Sequence, residues 1–209
     1  MPHQFEQPFR HLSDAERTQY LDRCRAEMDA GAPLWVFGYG SLLWRPCYAI
    51  ARSCVTTLRG YRRALCIWTI EARGTPASPG LGLGLLRDED SRCAGHAHCI
   101  NPASQADALV ALWEREMLTG IYLPTWVEVE VDGHPISALT FVVDSKHPQF
   151  AGDLAFSQQV EFIANASGVL GSNAEYLRST VAALQSVQIT DDTLESVDAA
   201  VQRHLSARP

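Results

Sequence analysis

No stretch of eighteen consecutive apolar residues occurs in this 209-residue sequence, so no segment has the length and polarity of a membrane-spanning helix. The opening MPHQFEQPFRHL lacks a basic region leading into an apolar one and does not read as a secretory signal. Positive charge is in the minority: 17 Lys and Arg stand against 24 Asp and Glu, a net charge of −7. The short group Arg59, Arg62 and Arg63 reads as a solvated strand edge rather than a binding patch. Phosphates and anionic lipid surfaces are held by a basic footprint, so neither nucleic acid nor membrane is expected as a partner. Six cysteines are present, at 24, 47, 54, 66, 93 and 99, but the chain is long and apolar enough to need no staples. Cys66, inside the apolar run ALCIW, is the pattern of a free buried thiol. A cytoplasmic protein is the expectation.

What is present is ordinary globular material, 46% apolar and 20% charged. Ser13 and Glu16 form an S-x-x-E capping box behind Leu12, and Gly31 with Pro33 closes the helix they open. Strand-like text begins at LWVFGYGSLLW (34–44) and continues over 52–70 and 81–101, with the Gly/Pro-rich EARGTPASPG starting as loop between them. A helix follows over 105–118, with Ser104 and Asp107 as its caps and Gly120 as its stop. In TWVEVEVDGHPISALTFVVD, alternating residues flank Asp132-Gly133, a two-residue hairpin turn. Helices are expected at about 157–167, 173–186 and 192–206. There is no repeat and no long linker. The reading is one α+β domain over 34–209, with residues 1–33 as an N-terminal helical extension.

Three features carry candidate chemistry. Glu116 shares a helical face with Leu109, Leu112 and Trp113, while Glu114 points away with the polar set. A carboxylate on an apolar stripe must be neutral or paired, so it is a functional acid/base, or else a residue salt-bridged to a core arginine or a helix-end residue that reaches solvent. FGYGSLLW is a strand-to-loop transition whose glycines let backbone N–H groups approach an anion; a plain tight turn is the alternative. It lacks the Gly-Lys-Ser/Thr of a Walker loop, the third glycine of a dinucleotide fingerprint and the G-x-S-x-G of a nucleophile elbow. In GSNAEYLRS, Ser172 and Glu175 read as a capping box, which makes Glu175 structural and leaves Asn173 and Tyr176 as candidate contacts. Cys93, His96, His98 and Cys99 are close in sequence. On a strand, however, 96 and 98 face one side and 93 and 99 the other, so no metal is expected.

Taken together, FGYGSLLW, RGTPASPGLGLGL, the pair Arg115-Glu116 and GxxGxNxEYL (168–177) occur in an order that resembles the ChaC-like family of glutathione-specific γ-glutamylcyclotransferases. The resemblance covers about Leu34 to Leu184. It implies an α+β fold built on a curved, barrel-like mixed sheet with flanking helices. It implies glutathione as substrate, 5-oxoproline and cysteinylglycine as products, and no cofactor. It makes Glu116 the catalytic acid/base and makes the backbone of Val36, Phe37, Gly38, Tyr39, Gly40 and Ser41, with Leu42 nearby, the γ-glutamyl cradle. Arg73 and Tyr176 are candidates for the glycyl end, and Tyr122 is a further candidate contact. Such a reaction is an intramolecular attack of the α-amine on the γ-carbonyl, which needs no protein nucleophile but does need a proton carrier. A carboxyl whose pKa is raised by burial suits an amine of pKa about 8 better than an ordinary glutamate near 4.3. The alternatives are a cyclotransferase for other γ-glutamyl amino acids or amines, a binding module without chemistry, and a zinc hydrolase built on the Cys/His group. The oligomeric state is not addressed by any of these residues.

Overall fold

The computed structural model describes residues 5–28 and 31–207. It opens with α1 (Asp14–Ala26). Both arms of the capping box are present, Asp14 and Glu16 sit in the first turn, and Arg23 and Arg25 sit in the last, so charges at both ends complement the helix dipole. The helix stops at Ala26, ahead of Gly31. The elements that follow are β1 (Trp35–Gly38), β2 (Ile50–Thr69), β3 (Gly80–Ile100), α2 (Gln105–Glu116), β4 (Tyr122–Val131) and β5 (His134–Val143). The chain ends with α3 (Phe156–Asn165), β6 (Ser167–Gly168), β7 (Gly171–Ser172), α4 (Asn173–Ser186) and α5 (Asp192–Ser206). Five strands form one mixed sheet in the order β2-β3-β1-β5-β4. The chain is therefore α+β, with helices flanking a mixed sheet, as expected.

The described residues divide into two compact units. One comprises the chain up to Phe9, Ala64–Gly84 and Pro148 onward; the other comprises Arg10–Arg63 and Leu85–His147. In the first, α3, α4 and α5 bury apolar faces that include Ile163, Leu177, Leu184 and Val197. Asn173 acts there as a surrogate strand: its Oδ1 accepts from Leu81 N at 2.7 Å and its Nδ2 donates to Leu81 O at 2.9 Å. A side chain on Gly80 would meet that amide at 2.6 Å, which accounts for the glycine.

The second unit holds the β4–β5 hairpin. Asp132 and Gly133 both have positive φ, 51° and 79°, as a type I′ turn requires. Val127, Val129 and Val131 are buried while Glu128 and Glu130 are exposed, so the period-2 pattern sets the face. β1 lies between β3 and β5, antiparallel to the first through Trp35↔Cys99 to Gly38↔His96 and parallel to the second at Val36↔Leu139. Where β1 ends, β3 meets β5 directly and in parallel at Leu85↔Val142. A straight strand cannot run antiparallel to β1 at one end and parallel to β5 at the other, so β3 coils strongly between residues 85 and 96.

Candidate active site

The G-Y-G turn is held from below. Val36 and Phe37 are fully buried, and the Phe37 carbonyl accepts from Thr140 Oγ1 at 3.0 Å. The Tyr39 ring points into the core, where its hydroxyl donates to Phe141 O at 2.8 Å, while the Tyr39 carbonyl accepts from Arg63 Nε at 2.5 Å. Arg63 also donates to Ala94 O, pinning β3 to the same turn. Arg63 is thus not part of a solvated edge: its guanidinium reaches the two carbonyls left where β1 and β3 separate. Packing leaves no room for side chains here. A Cβ on Gly95 would lie 2.4 Å from Gly38 O and 2.8 Å from the Phe37 ring, and one on Gly38 would lie 3.2 Å from Leu42 Cβ. From Gly40 the chain enters a 3-10 turn at Ser41–Leu43, with Leu43 N donating to Gly40 O at 3.0 Å. The first N–H groups of any helical turn point away from it without intrahelical acceptors.

Glu116 is the last residue of α2, two residues short of the helix end expected from sequence. Leu109, Leu112 and Trp113 on its face are buried and Glu114 is exposed, as the 3.6-residue period dictates. Ser104 makes no side-chain cap. Asn101 instead caps the short 3-10 turn that leads into the helix, its Oδ1 accepting from Ala103 N at 3.0 Å. The Glu116 side chain keeps only 13% of its exposure, and Arg115 Nε lies 3.2 Å from its Oε1. Burial pushes the carboxyl pKa above the ordinary glutamate value, and the Arg115 charge pulls it partly back.

Arg115 does more than pair with its neighbour. Its Nη2 donates to Ser41 Oγ at 2.7 Å, and its Nη1 donates to the Arg45 carbonyl. Cys47 and Tyr48 lie in electrostatic reach of both Arg115 and Glu116 and are themselves pushed up chiefly by burial. Tyr48 Oη is 3.0 Å from His98 Nδ1. Burial first, and His96 second, bring His98 down to about 4. His96 and His98 share one side of β3, with ring centroids 5.5 Å apart, while Cys93 and Cys99 belong to the opposite core cluster. Among the described residues no three His, Cys, Asp or Glu side chains are grouped to hold a metal ion.

The other sequence candidates are distributed unevenly. Leu42 and Tyr122 join the core cluster that α2 packs on, Tyr122 meeting the Phe141 ring edge to face at 6.3 Å between centroids. Arg73 and Tyr176 belong to the other unit, where they meet each other, the Arg73 guanidinium 5.9 Å from the ring centre. Ser172 accepts from Glu175 N at 3.1 Å, as a cap should. The Glu175 carboxylate faces Arg73 Nη1 at 3.4 Å rather than completing the box.

A sequence profile of the ChaC-like protein family matches residues 34–204. The chain belongs to the ChaC-like family. A glutathione-specific γ-glutamylcyclotransferase of Escherichia coli K12 is 39% identical over 83% of this chain and 75% of its own length. The rat glutathione-specific γ-glutamylcyclotransferase 1 is 31% identical over 80% of this chain and 78% of its own. A crystal structure of a yeast γ-glutamyl cyclotransferase specific to glutathione superposes with a TM-score of 0.75 at 22% identity, over 83% of this chain and 97% of that one, which establishes the shared fold. In this ChaC-like chain, sequence reasoning singled out Glu116 and the turn but not the link between them. Arg115 was visible only as the neighbour of Glu116, and Arg63 only as one of three clustered arginines. Which way a long side chain reaches across 74 residues of chain has no local signature.

Proposed function

We propose that this chain is a cytoplasmic glutathione-specific γ-glutamylcyclotransferase, a lyase that releases 5-oxoproline and cysteinylglycine, with Glu116 as its acid/base. The observation that carries the reading is a buried carboxyl of raised pKa tied through one arginine to the turn that leaves β1. The six free thiols support a reducing compartment. Family membership and relatives named for glutathione support the substrate.

In the proposed reaction the turn backbone up to Ser41 holds the γ-glutamyl unit folded back on itself, seated on Val36 and Phe37, which are fully buried in the sheet and support the turn from within. The α-amine reacts in its neutral form, having already lost the ammonium proton to solvent; it gives one proton to the Glu116 carboxylate as its nitrogen forms a bond to the γ-carbon. The bond from that carbon to the cysteinyl nitrogen breaks, and the proton passes from Glu116 to the leaving nitrogen. Holding the chain in this geometry contributes about 7–11 kcal/mol in well-oriented intramolecular reactions. A carboxyl lifted by burial is closer in proton affinity to both amines, so it can take the proton and return it.

Incubating the purified protein with glutathione, with γ-glutamyl-alanine in parallel, tests the reading. 5-Oxoproline and cysteinylglycine from glutathione, with little turnover of γ-glutamyl-alanine, is the expected result. Comparable rates on both would refute the substrate assignment, and no turnover of either would refute the reaction.

A further inference from the structure

We infer that Arg115 is the positioning residue of this site, a planar bracket that sets the Glu116 carboxylate at a fixed place relative to the Ser41 turn. The inference rests on the proposed acid/base role of Glu116 and goes beyond it to how that carboxylate is oriented and how its ionised form is favoured against burial. Three nitrogens of one guanidinium meet three acceptors from different places: Nε meets Glu116 Oε1 at 3.2 Å, Nη2 meets Ser41 Oγ at 2.7 Å, and Nη1 meets the Arg45 carbonyl. Ser41 and Arg45 are the two ends of the loop that follows the G-Y-G turn, and Arg45 N in turn donates to Ser41 O at 2.8 Å. The loop is therefore closed on itself, and the Arg115 side chain fastens both of its ends to the last turn of α2. Each nitrogen of its fork has a partner within the protein, so Arg115 acts by holding these groups together.

Only an arginine fits this duty. Its donors are rigid and coplanar, so one side chain serves acceptors on two elements at once, and it stays charged at any working pH. A lysine in the same place would bring the charge but not the fork. The titratable and charged groups that share the field of Glu116 are Arg115 on α2, and Cys47 and Tyr48 on the segment between the turn and β2. Cys47 and Tyr48 are held neutral by burial at ordinary pH, leaving Arg115 to favour the ionised carboxylate. Two effects of Arg115 are thus separable. The fork sets geometry, which is read in substrate affinity; the charge sets the proton equilibrium of Glu116, which is read in the acid limb of the pH profile.

The test is kcat and KM for glutathione across pH for wild type, Arg115→Lys and Arg115→Gln, with Glu116→Gln alongside. Arg115→Gln should move the acid limb to higher pH and raise KM about tenfold, the loss expected for a charge-assisted hydrogen bond. Arg115→Lys should leave the limb where wild type has it while KM still rises. If Arg115→Gln is too slow to assay, the Glu116 ionisation is read directly from its carboxyl carbon resonance, assigned by its disappearance in Glu116→Gln. An unmoved limb or resonance in Arg115→Gln, or a kcat loss shared equally by both arginine variants with KM unchanged, overturns the inference. An active Glu116→Gln overturns the acid/base reading instead, so the two failures are distinct.

Discussion

Replacing Glu116 with Gln exchanges one oxygen for an amino group and leaves the shape of the buried site nearly intact. The amide oxygen can stay beside Arg115 Nε, which lies 3.2 Å from Glu116 Oε1. What disappears is the charge and the ability to carry a proton. General acid–base catalysis contributes about 10²–10⁴-fold, or roughly 3–5 kcal/mol of transition-state stabilisation at 1.36 kcal/mol per decade. Turnover of glutathione should fall by that factor with KM little changed, because the interaction lost is one made in the transition state. Stability should move the other way. Burial raises the Glu116 carboxyl by more than Arg115 lowers it, so the folded protein binds this proton more tightly than the unfolded chain does. Below the unfolded value of about 4.3 both states are protonated; as pH rises through the folded pKa, the native state must give up the proton at a cost. Glu116→Gln never meets that cost. It should be more stable than wild type at pH 7, with the difference closing below about pH 4.3. Urea unfolding followed by tryptophan fluorescence at pH 7 and pH 4 measures this, and 5-oxoproline release measures the rate. Near-wild-type turnover removes Glu116 from the chemistry. A variant less stable than wild type at pH 7 shows that the ion pair outweighs burial, and the argument for a raised carboxyl falls with it.

Gly95→Ala places a methyl 2.4 Å from Gly38 O and should cost about 1–3 kcal/mol in urea unfolding while raising KM, whereas Gly82→Ala meets only ordinary contacts at 3.7 Å. Equal stability of the two variants would show that β1 yields easily and that Gly95 does not support the turn. Gly40→Val should weaken glutathione affinity by blocking approach to the turn backbone, and an unchanged KM counts against the cradle. His98, at about 4 in the folded protein, holds its proton less tightly than an unfolded histidine near 6.5. Its contribution to stability is therefore full above about 6.5 and lost as pH falls through about 4, so the wild-type stability slope in that window should flatten in His98→Asn. Equal slopes would refute the depressed value.

The elements legible in the sequence are those whose cause is local. The Asp132-Gly133 turn needs two residues that accept positive φ, the apolar stripe of α2 needs only a 3.6-residue period, and that period by itself put Glu116 on the buried side. Ser13 and Glu16 cap α1 because they lie three residues apart. The misread details are those in which a polar side chain had several partners within reach. Asn101 rather than Ser104 caps the entry to α2, and Glu175 turns to Arg73 rather than to its own helix end. A capping box or cap sequence states only which bond is available; the competing partner comes from elsewhere in the chain. The register that seats β1 between β3 and β5 depends on pairings between residues 58 to 103 positions apart, and no window of sequence contains both sides. The same holds for the arginines. Charge pattern marks Arg63 and Arg115 as basic residues beside others, and only the folded chain decides that one ends on the Tyr39 carbonyl and the other on Ser41, because the unpaired acceptors they satisfy exist only once the strands have separated and the turn has formed.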